Sequence, residues 1–254
     1  MKTLTTVLQQ QKEQGTKLFI PYIMAGANGL ERLPAEIEML VESGASAIEL
    51  GIPFSDPVAD GLIIQQAAIQ ARQQGVTFKK IIAVLQQITV DVPIILMGYA
   101  NSFFHYGIEQ LVVDLATTDV KGVIIPDLPY EHRDLFLEPA QQADLAFIQL
   151  VTLTSSPERI AELLADAQGF IYAVTIKGTT GTGQTYEATL DQHLALITEQ
   201  SQIPVLAGFG VSQAAHVQRF HQCCDGVVIG SSIVQSLSEQ GLAVTQNKIR
   251  EIFR

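Results

Sequence analysis

The sequence predicts an α/β protein built as a (β/α)8 TIM barrel. Three observations carry that expectation. Short apolar, β-branched runs recur eight times along the chain, and stretches with helical spacing separate them. A chain of 254 residues with 47% hydrophobic content is long enough for one large core. Continuous apolar strands alternating with helices imply a parallel sheet covered on both faces. Eight such units in a chain of this length suit a closed barrel better than an open sheet.

Taken in order, the strands are expected at Lys17–Ile23, Ser46–Leu50, Pro93–Gly98, Gly122–Ile125, Ala146–Leu150, Phe170–Val174, Ile203–Ala207 and Gly226–Ile229. Helical spacing appears at Leu33, Ile37, Leu40 and Val41, at Ile81, Ile82 and Leu85, at Ile160, Leu163 and Leu164, and at Leu190, Leu194 and Ile197. The leading segment Leu4 to Gln14 reads as a helix that covers the bottom of the barrel. Two more helices, Leu62 to Arg72 and Phe78 to Gln87, fit between Asp60 and Ile88 with Gly75 between them. A doubly wound sheet would want a glycine-rich fingerprint after the first strand. Met24-Ala25-Gly26-Ala27-Asn28-Gly29 only approximates one, and no acidic ribose partner follows. No linker, low-complexity run or composition shift divides the chain, so residues 1–254 read as a single barrel domain. The glutamine-rich runs fall on helices and read as solvated faces.

Charge and cysteine usage narrow the function classes. A net charge of −11 and an isoelectric point near 4.8 argue against a nucleic-acid footprint. They leave room for a small phosphorylated ligand, because backbone amides bind phosphate inside acidic proteins. There is no run of eighteen apolar residues to span a membrane. The segment Met1 to Val7 lacks an apolar signal core. Cys223 and Cys224 are adjacent, with no second pair to complete a zinc set or a disulfide framework, and a reducing cytoplasm is the natural setting.

In a barrel the chemistry sits at the C-terminal ends of the strands. The second strand ends at Glu49 and runs into Leu50-Gly51-Ile52-Pro53-Phe54-Ser55-Asp56-Pro57-Val58-Ala59-Asp60-Gly61. An acid at the last turn of an apolar strand points into low dielectric, where its pKa rises, and two more acids follow on a proline-stiffened path. A buried glutamate is commonly paired for structure; the strand-end position and the acid-rich loop favour chemistry here. Asp60 also suits a helix cap and Asp56 a turn, and Asp127 between Pro126 and Pro129 reads the same way. Gly208-Phe209-Gly210 and Gly230-Ser231-Ser232 each join a strand to a helix after strands seven and eight, where barrels commonly hold phosphate. Gly178 to Gly183 reads as a mobile lid. Lys177, just beyond strand six, leaves a Schiff-base reading open. The five histidines show no metal-like clustering and read as surface.

The run Glu-Leu-Gly-Ile-Pro-Phe-Ser-Asp-Pro-Val-Ala-Asp-Gly at Glu49 to Gly61 resembles the signature of the tryptophan synthase α subunit. The resemblance extends to Phe19-Ile20-Pro21-Tyr22, Tyr99-Ala100-Asn101, Pro126-Asp127-Leu128-Pro129, Gly208 to Ser212 and Gly230 to Val234. It implies a lyase that cleaves indole-3-glycerol phosphate to indole and glyceraldehyde 3-phosphate. It also implies a role for each matching residue. Glu49 is then the general acid/base, and Asp60 holds the indole N–H. Tyr172 positions Glu49 and the glycerol chain, while Tyr22, Met97 and Phe209 line the indole pocket. Gly181, Gly210, Gly230 and Ser231 hold the phosphate. The family needs no metal or cofactor in this chain. Its partner is a β subunit carrying pyridoxal phosphate, in an αββα complex, with Pro53 and Asp56 at the interface. Two departures stand out: Ala25 to Gly29 lacks the Gly-Asp-Pro the family often shows, and Thr175 to Gly181 diverges from the usual lid pattern. The rival readings are a sugar-phosphate aldolase using Lys177, and an inactive barrel that only activates a β partner.

Overall fold

A computed structural model describes residues 1–175, 188–208, 210–211 and 213–253. Lys177, the lid segment with Gly181, and Phe209 lie outside the described residues. Among those described, the strands are β1 (Leu18–Met24), β2 (Ile48–Gly51), β3 (Ile94–Met97), β4 (Val120–Ile124), β5 (Ala146–Phe147), β6 (Gln149–Thr152), β7 (Ile171–Val174), β8 (Val205–Gly208) and β9 (Gly226–Ile229). Every pairing is parallel, in the order β5-β4-β3-β2-β1-β9-β8-β7-β6.

The two ends of that order are neighbours in the chain. Only Ile148 separates β5, which pairs with β4, from β6, which pairs with β7. The expected fifth strand, Ala146–Leu150, is therefore one strand interrupted at Ile148, whose N–H donates to the Val123 carbonyl at 2.9 Å. One side of the break serves β4 and the other serves β7, and the sheet closes there into a barrel.

Helices fill the intervals: α1 (Thr3–Glu13), α2 (Leu33–Glu42), α3 (Leu62–Gln73), α4 (Phe78–Leu85), α5 (Ala100–Tyr106), α6 (Ile108–Leu115), α7 (Asp134–Leu137), α8 (Pro157–Ala165), α9 (Ala188–Gln200), α10 (Ala214–Phe220) and α11 (Ser231–Ile252). The side chains of Thr77 and Ser156 cap α4 and α8 by accepting from Lys80 and Arg159 N–H. Strand residues alternate between two apolar clusters, as a period of two requires. Ile48, Leu50, Ile94, Leu96, Ile171 and Ala173 face the helices. Ile20, Tyr22, Ala47, Ile95, Met97 and Tyr172 face the barrel interior. Leu4 and Leu8 of α1 are fully buried in that interior cluster, so α1 covers the bottom as expected.

Candidate active site

Alternation along β2 decides where Glu49 points. With Ile48 and Leu50 packed outward, Glu49 and Gly51 must face inward. Glu49 is only 2% exposed, Asp60 3% and Tyr22 3%, so the acids and the phenol are withdrawn from bulk water. Register places Tyr22 of β1 directly beside Glu49, and Met97 of β3 beside Gly51. Tyr172 of β7 faces the same interior.

Two glycines make room for the two tyrosines. A Cβ on Gly51 would stand 2.1 Å from the Tyr22 hydroxyl, and one on Gly208 would stand 2.2 Å from Tyr172 Cε1. Any larger residue at either strand end would displace the ring across it.

Asp60 reaches the site from the loop after β2. The loop is tied by Val58 N–H to the Asp56 carbonyl at 2.9 Å and Asp60 N–H to the Pro57 carbonyl at 3.1 Å. Tyr99, at the end of β3, anchors it. The Tyr99 hydroxyl accepts from Ala59 N–H at 2.9 Å and donates to the Asp60 carboxylate, while its ring stacks on Phe54 at 5.1 Å. Sequence reasoning named Tyr99 as a strand-end residue and gave it no role. Its signals were its place at a strand end and its membership of the matching run Tyr99-Ala100-Asn101.

Burial governs the electrostatics. Desolvation, then the nearby Asp60 charge, pushes the Glu49 carboxyl up to about 8. Burial also raises Asp60, to about 6, against the opposing pull of the Tyr99 hydrogen bond. Glu49 therefore keeps its proton to higher pH than Asp60 does. Burial, followed by the charges of both acids, holds the Tyr22 and Tyr172 phenols well above their ordinary value. Both remain donors.

The expected phosphate turns stand side by side because β8 and β9 pair. Gly210 has φ +81°, a conformation only glycine adopts without strain. Gly230 caps α11 and Ser231 opens it, leaving first-turn N–H groups at the head of a helix that breaks at Gly241, where φ is +77°. Buried polar atoms without a hydrogen-bond partner among the described residues include Glu49 Oε2, the Tyr22 hydroxyl and Ser232 Oγ. All three are at or beside strand ends, which sets them apart from other such atoms, as on Gln9, His193 and His221, that lie on or just after the helices. Ser232 had only its place in the Gly-Ser-Ser turn to mark it.

Other expectations fall differently. Asp127 takes the capping role, accepting from Ala100 N–H at 2.8 Å. Asp56 is exposed and Pro53 half-buried on the loop rim. His105 and His132 are exposed, but His193, His216 and His221 are half-buried, because their helices pack on the barrel. Among the described residues no cluster of three or more metal-binding side chains occurs.

Both the barrel and the sequence that builds this site have known relatives. The family model for the tryptophan synthase alpha chain matches residues 8–253. The chain belongs to that family. It is 48% identical to the tryptophan synthase alpha chain of Streptococcus sanguinis over 96% of this chain and 95% of that one. It is 50% identical to the corresponding chain of Streptococcus mutans, over 94% of this chain and 92% of that one. Among solved structures, Mycobacterium tuberculosis tryptophan synthase superposes with a TM-score of 0.90 at 30% identity, covering 99% of this chain and 96% of that one. The alpha chain of Legionella pneumophila gives 0.88 at 27% identity, covering 99% and 96%.

Membership carries the activity. The chain is a carbon–carbon lyase of tryptophan biosynthesis, cleaving indole-3-glycerol phosphate to indole and glyceraldehyde 3-phosphate. The family's alpha reaction needs no cofactor of its own, and an alpha chain implies a β subunit partner. The Schiff-base reading of Lys177 and the reading as an inactive activator are set aside.

Proposed function

We propose that Glu49 and Asp60 divide the retro-aldol chemistry between them. Glu49, protonated at neutral pH, delivers its proton to the indole carbon that bears the glycerol side chain. Glu49, now a carboxylate, takes the proton from the hydroxyl on the adjacent side-chain carbon. As that carbon becomes the aldehyde of glyceraldehyde 3-phosphate, the carbon–carbon bond breaks and its electron pair restores the aromatic ring. Protons balance, and Glu49 ends as it began. Asp60, ionised at neutral pH, accepts the indole N–H and stabilises the positive charge that the ring gains on protonation. The observation that carries this division is the buried, unpaired Glu49 Oε2 near an Asp60 carboxylate that accepts a hydrogen bond from Tyr99.

Tyr172 positions Glu49 and the glycerol chain, and Tyr22, Met97 and Phe209 form the flat apolar walls of the indole pocket. Gly210, Gly230 and Ser231, with Gly181 from the lid, hold the phosphate. The β subunit carries pyridoxal phosphate in an αββα complex in the cytoplasm. The loop from Pro53 to Asp60 meets it, with Asp56 at the contact. Exposure of Val58 and Leu62, each 73%, favours a docking role for this face. No helix among the described residues is long and apolar enough to cross a membrane.

The test is Glu49→Gln, assayed for glyceraldehyde 3-phosphate release with and without a β subunit. The chain has no tryptophan, so it adds no tryptophan emission to the indole fluorescence of substrate and product. Cleavage should fall by at least about 10³-fold while activation of the partner persists. Cleavage near the wild-type rate would exclude Glu49 as the acid/base.

A further inference from the structure

Tyr22 carries a polar atom that the folded chain itself does not use. Its hydroxyl is buried and lacks a hydrogen-bond partner among the described residues. Burying an unpaired hydroxyl costs free energy that a phenylalanine at the same place would not incur. A flat apolar wall for an indole ring accounts for the phenyl ring of Tyr22 but not for its oxygen.

The side chain spans two parts of the site. At its base, Tyr22 Cβ and Cδ1 lie 3.4 and 3.5 Å from where a side chain on Gly230 would begin. At its tip, the hydroxyl lies over Gly51, two residues beyond Glu49 on the same inward face. Tyr22 thus runs from the turn at the head of α11 to the rim of β2. The charges of Asp60 and Glu49 both reach the phenol, which places the oxygen near the reacting centre.

We propose that Tyr22 determines specificity through its hydroxyl, which donates a hydrogen bond to the side-chain hydroxyl of indole-3-glycerol phosphate next to the bond that breaks. The proposal rests on the reading above, with phosphate at Gly230–Ser231 and Glu49 as the acid. The three-carbon chain of the substrate must cross from one to the other, and the Tyr22 ring lies along that path. Removing the hydroxyl therefore affects recognition of the glycerol unit and leaves recognition of the ring and the phosphate intact.

The experiment compares wild type and Tyr22→Phe on two molecules. One is indole-3-glycerol phosphate; the other is 3-(indol-3-yl)propyl phosphate, which keeps ring and phosphate and lacks both side-chain hydroxyls. The variant should lose about five- to tenfold in kcat/KM on the substrate. Its inhibition constant for the hydroxyl-free phosphate should match wild type, and its thermal midpoint should equal or exceed that of wild type. Equal weakening toward both molecules would overturn the proposal in favour of a shape effect, and an unchanged kcat/KM would overturn it outright. A Glu49→Gln control separates the two readings. If it still cleaves, the acid assignment fails and the Tyr22 proposal with it. If it does not cleave while Tyr22→Phe equals wild type, the Tyr22 proposal alone fails.

Discussion

Glu49 and Asp60 show how one fold makes two carboxyls behave differently. Both are buried, but Asp60 keeps a hydrogen bond from Tyr99 that favours its charged form, and Glu49 faces the charge of Asp60. If Glu49 acts protonated and Asp60 ionised, kcat/KM should trace a bell, rising near pH 6 and falling near pH 8. The limbs belong to the coupled pair rather than to either residue alone. In Asp60→Asn the acid limb should vanish, and the basic limb should move to lower pH as the repelling charge goes. A pH–rate profile with an unmoved basic limb would show that Asp60 does not act on Glu49. The acids themselves were legible in the sequence: an acid ending an apolar run, followed by an acid-rich, proline-stiffened loop. Tyr99 was not, because its link to Asp60 crosses from the end of β3 to the loop after β2 and leaves no local pattern.

The bottom helix is the clearest case in which an element's place could be read in advance. Helix α1 has Leu4 and Leu8 one turn apart, and both enter the barrel interior. A Cβ on Gly122 or Gly169 would stand 2.8 or 2.9 Å from Leu4 Cδ2, so the barrel wall closes tightly around that side chain. Leu4→Ala should lower stability by about 2–5 kcal/mol in urea denaturation, since tight walls collapse poorly onto a cavity. The kcat should stay within about twofold, because Leu4 lies at the end opposite Glu49. A large fall in kcat with unchanged stability would mean that α1 shapes the mouth instead. By contrast, the interruption of the fifth strand at Ile148 left no mark in the sequence. Ala146 to Leu150 is uniformly strand-like, and only closure of the sheet requires one side of it to serve β4 and the other β7.

At the scale of the whole molecule, the site makes the fold less stable than it might be. The folded chain holds Glu49 protonated up to about pH 8, whereas the unfolded chain gives up that proton near 4.5. The native state binds more protons between those values, so stability is intact below pH 4.5 and declines as pH rises through 8. Asp60 adds a smaller loss over its own window, from 3.8 to about 6. Glu49→Gln should therefore melt above wild type at pH 8.5 and close to it near pH 5, by a margin on the order of a few kcal/mol at the alkaline end. Calorimetry across that range checks it, and parallel melting curves at both pH values would mean that Glu49 is not buried as an acid. We propose that each variant melts in one transition, as a single barrel domain would.

The sequence by itself determined the fold class, the helix at the bottom and the residues of the acid-bearing loop. Those properties are written in periodicity and in the order of residue types, which act over a few neighbours at a time. Tertiary structure alone decided that the sheet closes at Ile148, that Tyr99 holds Asp60, and that Gly51 and Gly208 yield space to tyrosines of adjoining strands. It also decided that one carboxyl keeps its proton while the other loses it. Each of these depends on distances between segments far apart in the chain, and burial and charge act through space rather than along the backbone.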